Sequence, residues 1–181
     1  MTILVVGSGG REHAIAESLS KSPMEPVLYC APGNTGTDNV ARCTNIDASS
    51  NSEVLQAAQE LGADLAVVGP EKPLVEGLCD ELRAAGIDCV GPSKAAAALE
   101  GSKVAAKRFM HRYGIPTADY EVAATSDEAF TAISRIRAPL VVKADGLAAG
   151  KGVVVCAKES EANEAVNRFM NEGALSGAGR T

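Results

Sequence analysis

The chain has 181 residues, enough for one ordinary domain or one and a half, and 46% of them are apolar, enough for a real core. A formal net charge of −6, with no Lys/Arg cluster and no Trp, argues against broad nucleic-acid binding and leaves a small phosphorylated metabolite as the expected partner. Gly, Pro or charge interrupts every apolar run, so no membrane span is expected; the opening Met-Thr-Ile-Leu-Val enters a strand pattern with no basic leader, which makes the cytoplasm the expected compartment.

Thr2 to Val6 read as a buried strand, followed by Gly7-Ser8-Gly9-Gly10-Arg11-Glu12-His13-Ala14 and an apolar stripe at Ala14, Ile15 and Leu19. A strand, a glycine turn and a helix start present unpaired N–H groups to an anion, and Arg11 can add a bidentate contact to a phosphate. The dinucleotide fingerprint fails because Glu12 holds the place of its third glycine, which argues against NAD or FAD. Val27 to Cys30 and Leu65 to Val68 form two more apolar strands. They end in Ala31-Pro32-Gly33-Asn34-Thr35-Gly36-Thr37 and in Gly69-Pro70-Glu71-Lys72-Pro73-Leu74-Val75. In an open parallel sheet such loops lie outside the strand carboxyl ends, so those at Gly9, Gly33 and Gly69 are expected to converge on one site.

Ser52 is expected to cap a helix with Val54, Leu55, Ala58 and Leu61 inward. Leu74, Val75, Leu78 and Leu82 mark another helix, stopped by Gly86, and Ile87 to Val90 give the next strand. The alternation of strand and helix to about Gly101 predicts an α/β fold with a doubly wound parallel sheet. Ser93 opens a short alanine-rich connector helix, and a domain boundary is expected near Gly101. Ser102 then caps a helix with Ala106, Phe109, Met110 and Tyr113 on one face and Lys103 and Lys107 on another. A strand is expected at Tyr120 to Ala123. A capping box at Thr125 and Glu128 opens a helix with Ala129, Phe130, Ile133 and Ile136 inward.

Val141 to Val155 carry the strongest functional signal. Lys143 ends one apolar run, and Gly146, Gly150, Lys151 and Gly152 lie in the Gly/Ala loop before the next, a loop suited to folding over nucleotide phosphates. It is not a Walker A loop, because no G-x-x-x-x-G-K-[ST] run occurs and a strand pattern follows rather than a helix. The last helix carries Ala162, Ala165, Val166, Phe169 and Met170 on one face. Five cysteines without Cys-x-x-Cys spacing fall mostly in apolar patterns, so buried thiols in a reducing compartment are expected. His13 and His111, the only histidines, lie on different predicted helices and are assigned no metal or base role.

Strand, glycine-rich loop, strand is the layout of ATP-grasp ligases. The strings Gly-Gly-Arg-Glu-His-Ala, Ala-Pro-Gly-Asn, Gly-Pro-Glu-Lys-Pro-Leu-Val and Lys-Ala-Asp-Gly-Leu-Ala-Ala-Gly-Lys-Gly together resemble the glycinamide ribonucleotide synthetases (phosphoribosylamine–glycine ligases) of that superfamily. The resemblance implies a pre-ATP-grasp domain over residues 1–101 and a linker helix with a partial α+β ATP-grasp lid over 102–181. It implies that Gly9, Gly10, Arg11, Glu12, Pro32, Gly33, Asn34, Gly69, Pro70 and Glu71 gather around phosphoribosylamine, with Glu71 at its amine or ribose. It also implies that Lys103, Lys143, Gly146, Gly150, Lys151 and Gly152 serve ATP, whereas Lys107 reads as solvated. The reaction implied joins glycine to phosphoribosylamine with ATP cleaved to ADP and phosphate. The Mg ligands and the adenine strand belong to a part of the family beyond Thr181, so the chain reads as an N-terminal portion that the missing C-terminal portion would complete. A non-catalytic phosphosugar- or nucleotide-binding module and another ATP-grasp enzyme, such as the carboxylase relatives, stand as alternatives.

Overall fold

A computed structural model describes residues 1–148 and 151–174, which divide into two compact units, Met1–Ala97 and Ala98–Thr181. In the first unit β1 (Thr2–Gly7), α1 (Gly10–Ser20), β2 (Val27–Pro32) and β3 (Cys43–Asn45) come first. Then follow α2 (Asn51–Glu60), β4 (Leu65–Val68), α3 (Glu71–Glu76), α4 (Leu78–Ala84) and β5 (Asp88–Val90). The strands are all parallel in the order β3-β2-β1-β4-β5. The chain therefore winds outward from β1 in one direction and then from β4 in the other, which is the doubly wound arrangement.

β1 sits in the middle because both of its faces are apolar. Leu4 and Val6 pack with Ala66, Val68, Leu78 and Leu82, while Ile3 and Val5 pack with Ala16, Leu28 and Cys30 on the opposite face. Its register pairs Gly7 with Pro32 and Val6 with Val68, so the loops after β1, β2 and β4 leave the sheet at one level.

Several local expectations change. Ser50, not Ser52, caps α2: its hydroxyl accepts from the Glu53 N–H at 3.2 Å, and the Glu53 carboxylate accepts from the Ser50 N–H at 2.9 Å, a complete capping box. The single helix expected through Leu74 and Leu82 is two, because Gly77 adopts a φ of +106° that ends α3 and starts α4. On α1 the buried apolar residue is Ala16, and Ala14 is exposed. All five cysteines are free thiols, and burial followed by the neighbouring thiol pushes Cys30 and Cys89 up to about 12.

The second unit begins with the latter half of α5 (Lys94–Gly101), then has α6 (Lys103–Arg112), α7 (Ser126–Ile136), β6 (Leu140–Lys143), β7 (Val153–Cys156) and α8 (Glu159–Val166), which runs on as a wider turn over Asn167–Asn171. β6 and β7 are antiparallel, with Leu140 opposite Cys156 and Lys143 opposite Val153. Their inner residues Leu140, Val142, Val154 and Cys156 pack with Ala129 and Ile133 of α7 and Ala162 and Val166 of α8. Phe169 is buried, as the expected stripe on the last helix requires.

The strand expected at Tyr120 to Ala123 does not form, because this segment pairs with no strand among the described residues. Lys107 reaches the chain just before it: Nζ donates to Thr117 Oγ1 and to the Ala118 carbonyl, each at 2.7 Å, and stands 5.3 Å from the Tyr120 ring centroid. Lys107 is thus a tether rather than a solvated charge. The apolar stripe that shares one face of α6 is not buried; Phe109 and Tyr113 remain exposed and their rings lie 4.6 Å apart. No helix among the described residues is long and apolar enough to cross a membrane.

Candidate functional site

The first unit holds a cavity of about 550 Å³ at the carboxyl ends of its strands. Residues 6–12, Ala31 and Pro32, Ser49 and Asn51, and Pro70 and Glu71 line it. Of the residues expected there, Gly9, Gly10, Arg11, Glu12, Pro32, Pro70 and Glu71 are on the wall, whereas Gly33, Asn34 and Gly69 stand behind it and hold the loops together.

Glu12 organises the turn. It is 5% exposed, and its Oε2 accepts from the Gly9 N–H at 2.7 Å. A Cβ on Gly7 would lie 2.7 Å from its Cγ, one on Gly9 would lie 2.9 Å from Oε2, and one on Gly69 would overlap Oε1. These glycines leave room for a carboxylate of the protein itself, where the sequence suggested close approach of a ligand phosphate. Gly10, by contrast, has open space where a side chain would stand.

Arg11 also differs from the simple expectation of a guanidinium aimed at a phosphate. Nη1 donates to the Gly69 carbonyl at 2.5 Å and Nη2 to Glu71 Oε1 at 3.4 Å, which links the first loop to the third. The Glu71 carboxyl is held below the usual carboxylate range, first by its own backbone N–H and then by Arg11.

The second loop is tied in by Asn34. Its amide donates to the Ser8 carbonyl at 2.9 Å, and its Oδ1 accepts from the Gly36 and Thr37 N–H groups at 2.7 and 3.1 Å. Behind it, Asn45 Nδ2 donates to the Asn34 carbonyl at 2.8 Å, and the fully buried Thr37 hydroxyl lies 2.6 Å from Asn45 Oδ1. Gly33 has a φ of +73°, and a Cβ there would strike the Asn45 amide. Thr37, Asn45, Ser49 and Asn51 were not singled out by the sequence. Thr37 ends the visible Ala-Pro-Gly-Asn-Thr-Gly-Thr string, and the others carry no local signal.

In the second unit the β6–β7 ladder continues past Lys143, with the Ala144 N–H donating to the Gly152 carbonyl at 2.8 Å, and the Lys151 N–H donates to the Ala148 carbonyl at 2.8 Å. Gly150 lies outside the described residues. Gly146 uses a φ of +94°. Asp145, to which the sequence assigns no role, clasps this loop to the start of α6: Oδ2 accepts from the Ser102 hydroxyl at 2.9 Å and Oδ1 from the Val104 N–H at 3.2 Å. Burial pushes its carboxyl up, but those bonds, with backbone N–H groups of Lys103 and Gly146, hold it on balance below the usual range. The Ser102 hydroxyl also accepts from the Ala105 N–H at 3.0 Å, so one side chain caps α6 and anchors the loop. Lys103 Nζ donates to the Gly146 carbonyl at 3.0 Å. Lys103, Lys143 and Asp145 all line one groove of about 630 Å³ within this unit, and Lys143 and Lys151 are exposed.

A doubly wound unit followed by a hairpin whose glycine-rich loop carries two lysines is the layout of an ATP-grasp enzyme. Residues 1–100 match the family described as phosphoribosylglycinamide synthetase, N domain, and residues 101–181 match its ATP-grasp (A) domain, so the chain belongs to the phosphoribosylglycinamide synthetase family. A phosphoribosylamine–glycine ligase of Clostridium acetobutylicum is 43% identical over 180 residues, covering 99% of this chain and 43% of that protein. The crystal structure of the phosphoribosylamine–glycine ligase of Thermotoga maritima superimposes with a TM-score of 0.79 at 36% identity, over 98% of this chain and 41% of that one. The biotin carboxylase domain of Hydrogenobacter thermophilus 2-oxoglutarate carboxylase, solved with ADP and magnesium, shares the fold at a TM-score of 0.75 and 20% identity, over 98% of this chain and 42% of that one. The chain spans about 42 to 43% of the length of the curated relatives it matches, the Clostridium protein among them.

Proposed function

We propose that this chain supplies the phosphoribosylamine-binding and ATP-phosphate-binding parts of a ligase that joins glycine to phosphoribosylamine, giving glycinamide ribonucleotide, ADP and phosphate. Residues 1–101 take phosphoribosylamine in the cavity walled by Gly9, Gly10, Glu12, Pro32 and Glu71. Residues 102–181 take ATP, with Lys103, Lys143 and Lys151 as the cations for its phosphates and Gly146, Gly150 and Gly152 leaving the loop backbone free to approach them.

The observation that carries this reading is the Asp145 clasp. It locks the start of α6 to the loop that leaves Lys143, so that Lys103 and Lys143 line one groove. In the reaction proposed, the glycine carboxylate attacks the γ-phosphorus and ADP leaves; the ribosylamine nitrogen then attacks the acyl carbon and inorganic phosphate leaves. Transfer of this kind relies on positioning and charge neutralisation, and the acyl phosphate must be kept from water. Lysines on and beside a glycine-rich loop suit both tasks. Magnesium, when bound with ATP, neutralises further phosphate charge, and the resemblance assigns its carboxylate ligands to the family beyond residue 181.

Calorimetry with ATP tests the reading: the 181-residue chain should bind ATP, and Lys143→Ala should weaken that binding by roughly tenfold or more, since a charge-assisted phosphate contact is worth about 1.5 to 3 kcal/mol. Equal ATP affinity in the two proteins would remove Lys143 from the site.

A further inference from the structure

Three helix starts face the cavity of the first unit, at Gly10 of α1, Asn51 of α2 and Glu71 of α3. Such ends ordinarily favour a bound anion. Here each already has a carboxylate of its own. Glu12 accepts from the Gly9 N–H at 2.7 Å, Glu53 from the Ser49 and Ser50 N–H groups at 3.0 and 2.9 Å, and Glu71 occupies the first position of its own helix. Arg11 is the one cation on the wall, and its guanidinium is engaged by the Gly69 carbonyl and by Glu71. A wall with two carboxylates against one paired cation repels a phosphate dianion and favours an amine.

The same wall offers a specific acceptor. Glu12 is 5% exposed, and while Oε2 is fixed by Gly9, Oε1 accepts no hydrogen bond among the described residues. The bare Cα of Gly69 leaves the space in which Oε1 stands. A carboxylate oxygen on the cavity wall that takes no protein donor is an acceptor that a ligand N–H or O–H can use. We propose that the cavity reads the amine-and-hydroxyl end of the ribosylamine through Glu12 Oε1 and Glu71, and that the phosphate of the same ligand is not recognised there. This rests on the assignment of the cavity to phosphoribosylamine and inverts the expectation that the glycine turn and Arg11 hold the phosphate.

The test uses the wild-type 181-residue chain and calorimetry with glycinamide ribonucleotide, its dephosphorylated riboside and inorganic phosphate. Nucleotide and riboside should bind within about threefold of each other, and millimolar inorganic phosphate should not compete, because charge-assisted phosphate contacts are absent from the cavity. Glu12→Gln keeps an amide oxygen for the Gly9 N–H but turns an N–H2 group toward the ligand. With an unchanged melting temperature, it should weaken both ligands by about tenfold or more, the loss of one charge-assisted hydrogen bond. A loss of about tenfold on removing the phosphate, competition by inorganic phosphate, or full affinity in folded Glu12→Gln would overturn the inference and leave the cavity assignment standing. Failure of the wild-type chain to bind either ligand would overturn that assignment and the inference with it.

Discussion

Removing the Asp145 carboxylate should free the phosphate loop from α6. In Asp145→Ala the Ser102 hydroxyl and the Val104 N–H each lose an anionic acceptor, at 2.9 and 3.2 Å respectively. Hydrogen bonds to a charged group contribute about 1.5 to 3 kcal/mol each, and one of these is long and the site half-buried, so the pair should contribute about 2 to 3 kcal/mol to the second unit. The Ser102 cap on α6 survives through the Ala105 N–H, which confines the effect to the loop and the first turn of the helix. Urea unfolding followed through hydrogen exchange of α6 and β6 amides reads the loss, and calorimetry with ATP reads the loosening of Lys103. The sign with pH follows from the depressed carboxyl. A group whose folded pKa lies below its unfolded value stabilises fully above the unfolded value, near 3.8 for this carboxyl, and loses that contribution as pH falls through the folded value. Asp145→Asn should therefore flatten the acid limb of the stability profile, with wild type and variant converging below the folded value. A wild-type-like unfolding midpoint and ATP affinity in Asp145→Ala would refute the clasp.

Gly69→Ala should destabilise the first unit by about 1 to 3 kcal/mol through collision with Glu12, whereas Gly10→Ala, with open space at its Cβ, should leave the thermal midpoint nearly unchanged. Thr37→Val strips a fully buried hydroxyl from Asn34 and Asn45 and should cost about 1 to 3 kcal/mol in urea unfolding. Lys107→Ala should speed hydrogen exchange over residues 117–120 while changing ATP affinity less than Lys143→Ala does. Cys30 in the native chain should resist iodoacetamide at neutral pH, since its thiol is pushed up to about 12 and the thiolate is the nucleophile.

The sheet of the first unit was legible because β1, β2 and β4 are short apolar runs bounded by Gly and Pro, and parallel strands buried on both faces read that way. The hairpin was legible for the same reason on either side of its glycines. Other features depend on what a segment meets in space. Helical spacing continues through Gly77, so only its φ of +106° reveals two helices. Tyr120 to Ala123 has strand-like residues, but a strand needs a partner and the segment has none among the described residues. In the site, Arg11, Glu12, Asn34, Lys103 and Lys143 stand in glycine-rich or basic strings and were visible. Asp145 was not, because Ser102, which gives it its role, lies 43 residues away. The direction in which Arg11 and Glu12 act was equally hidden, being fixed by Gly69 and Glu71 on another loop.

The central claim, that the two units serve two different ligands, is tested most directly by amide hydrogen exchange of the 181-residue chain with either ATP or glycinamide ribonucleotide added. ATP should slow exchange at residues 103–106 and 143–148 and leave 7–12, 34–37 and 69–71 as they were, while glycinamide ribonucleotide should do the reverse. Protection of residues 7–12 by ATP would place the nucleotide in the first unit and refute the division of ligands between the two units.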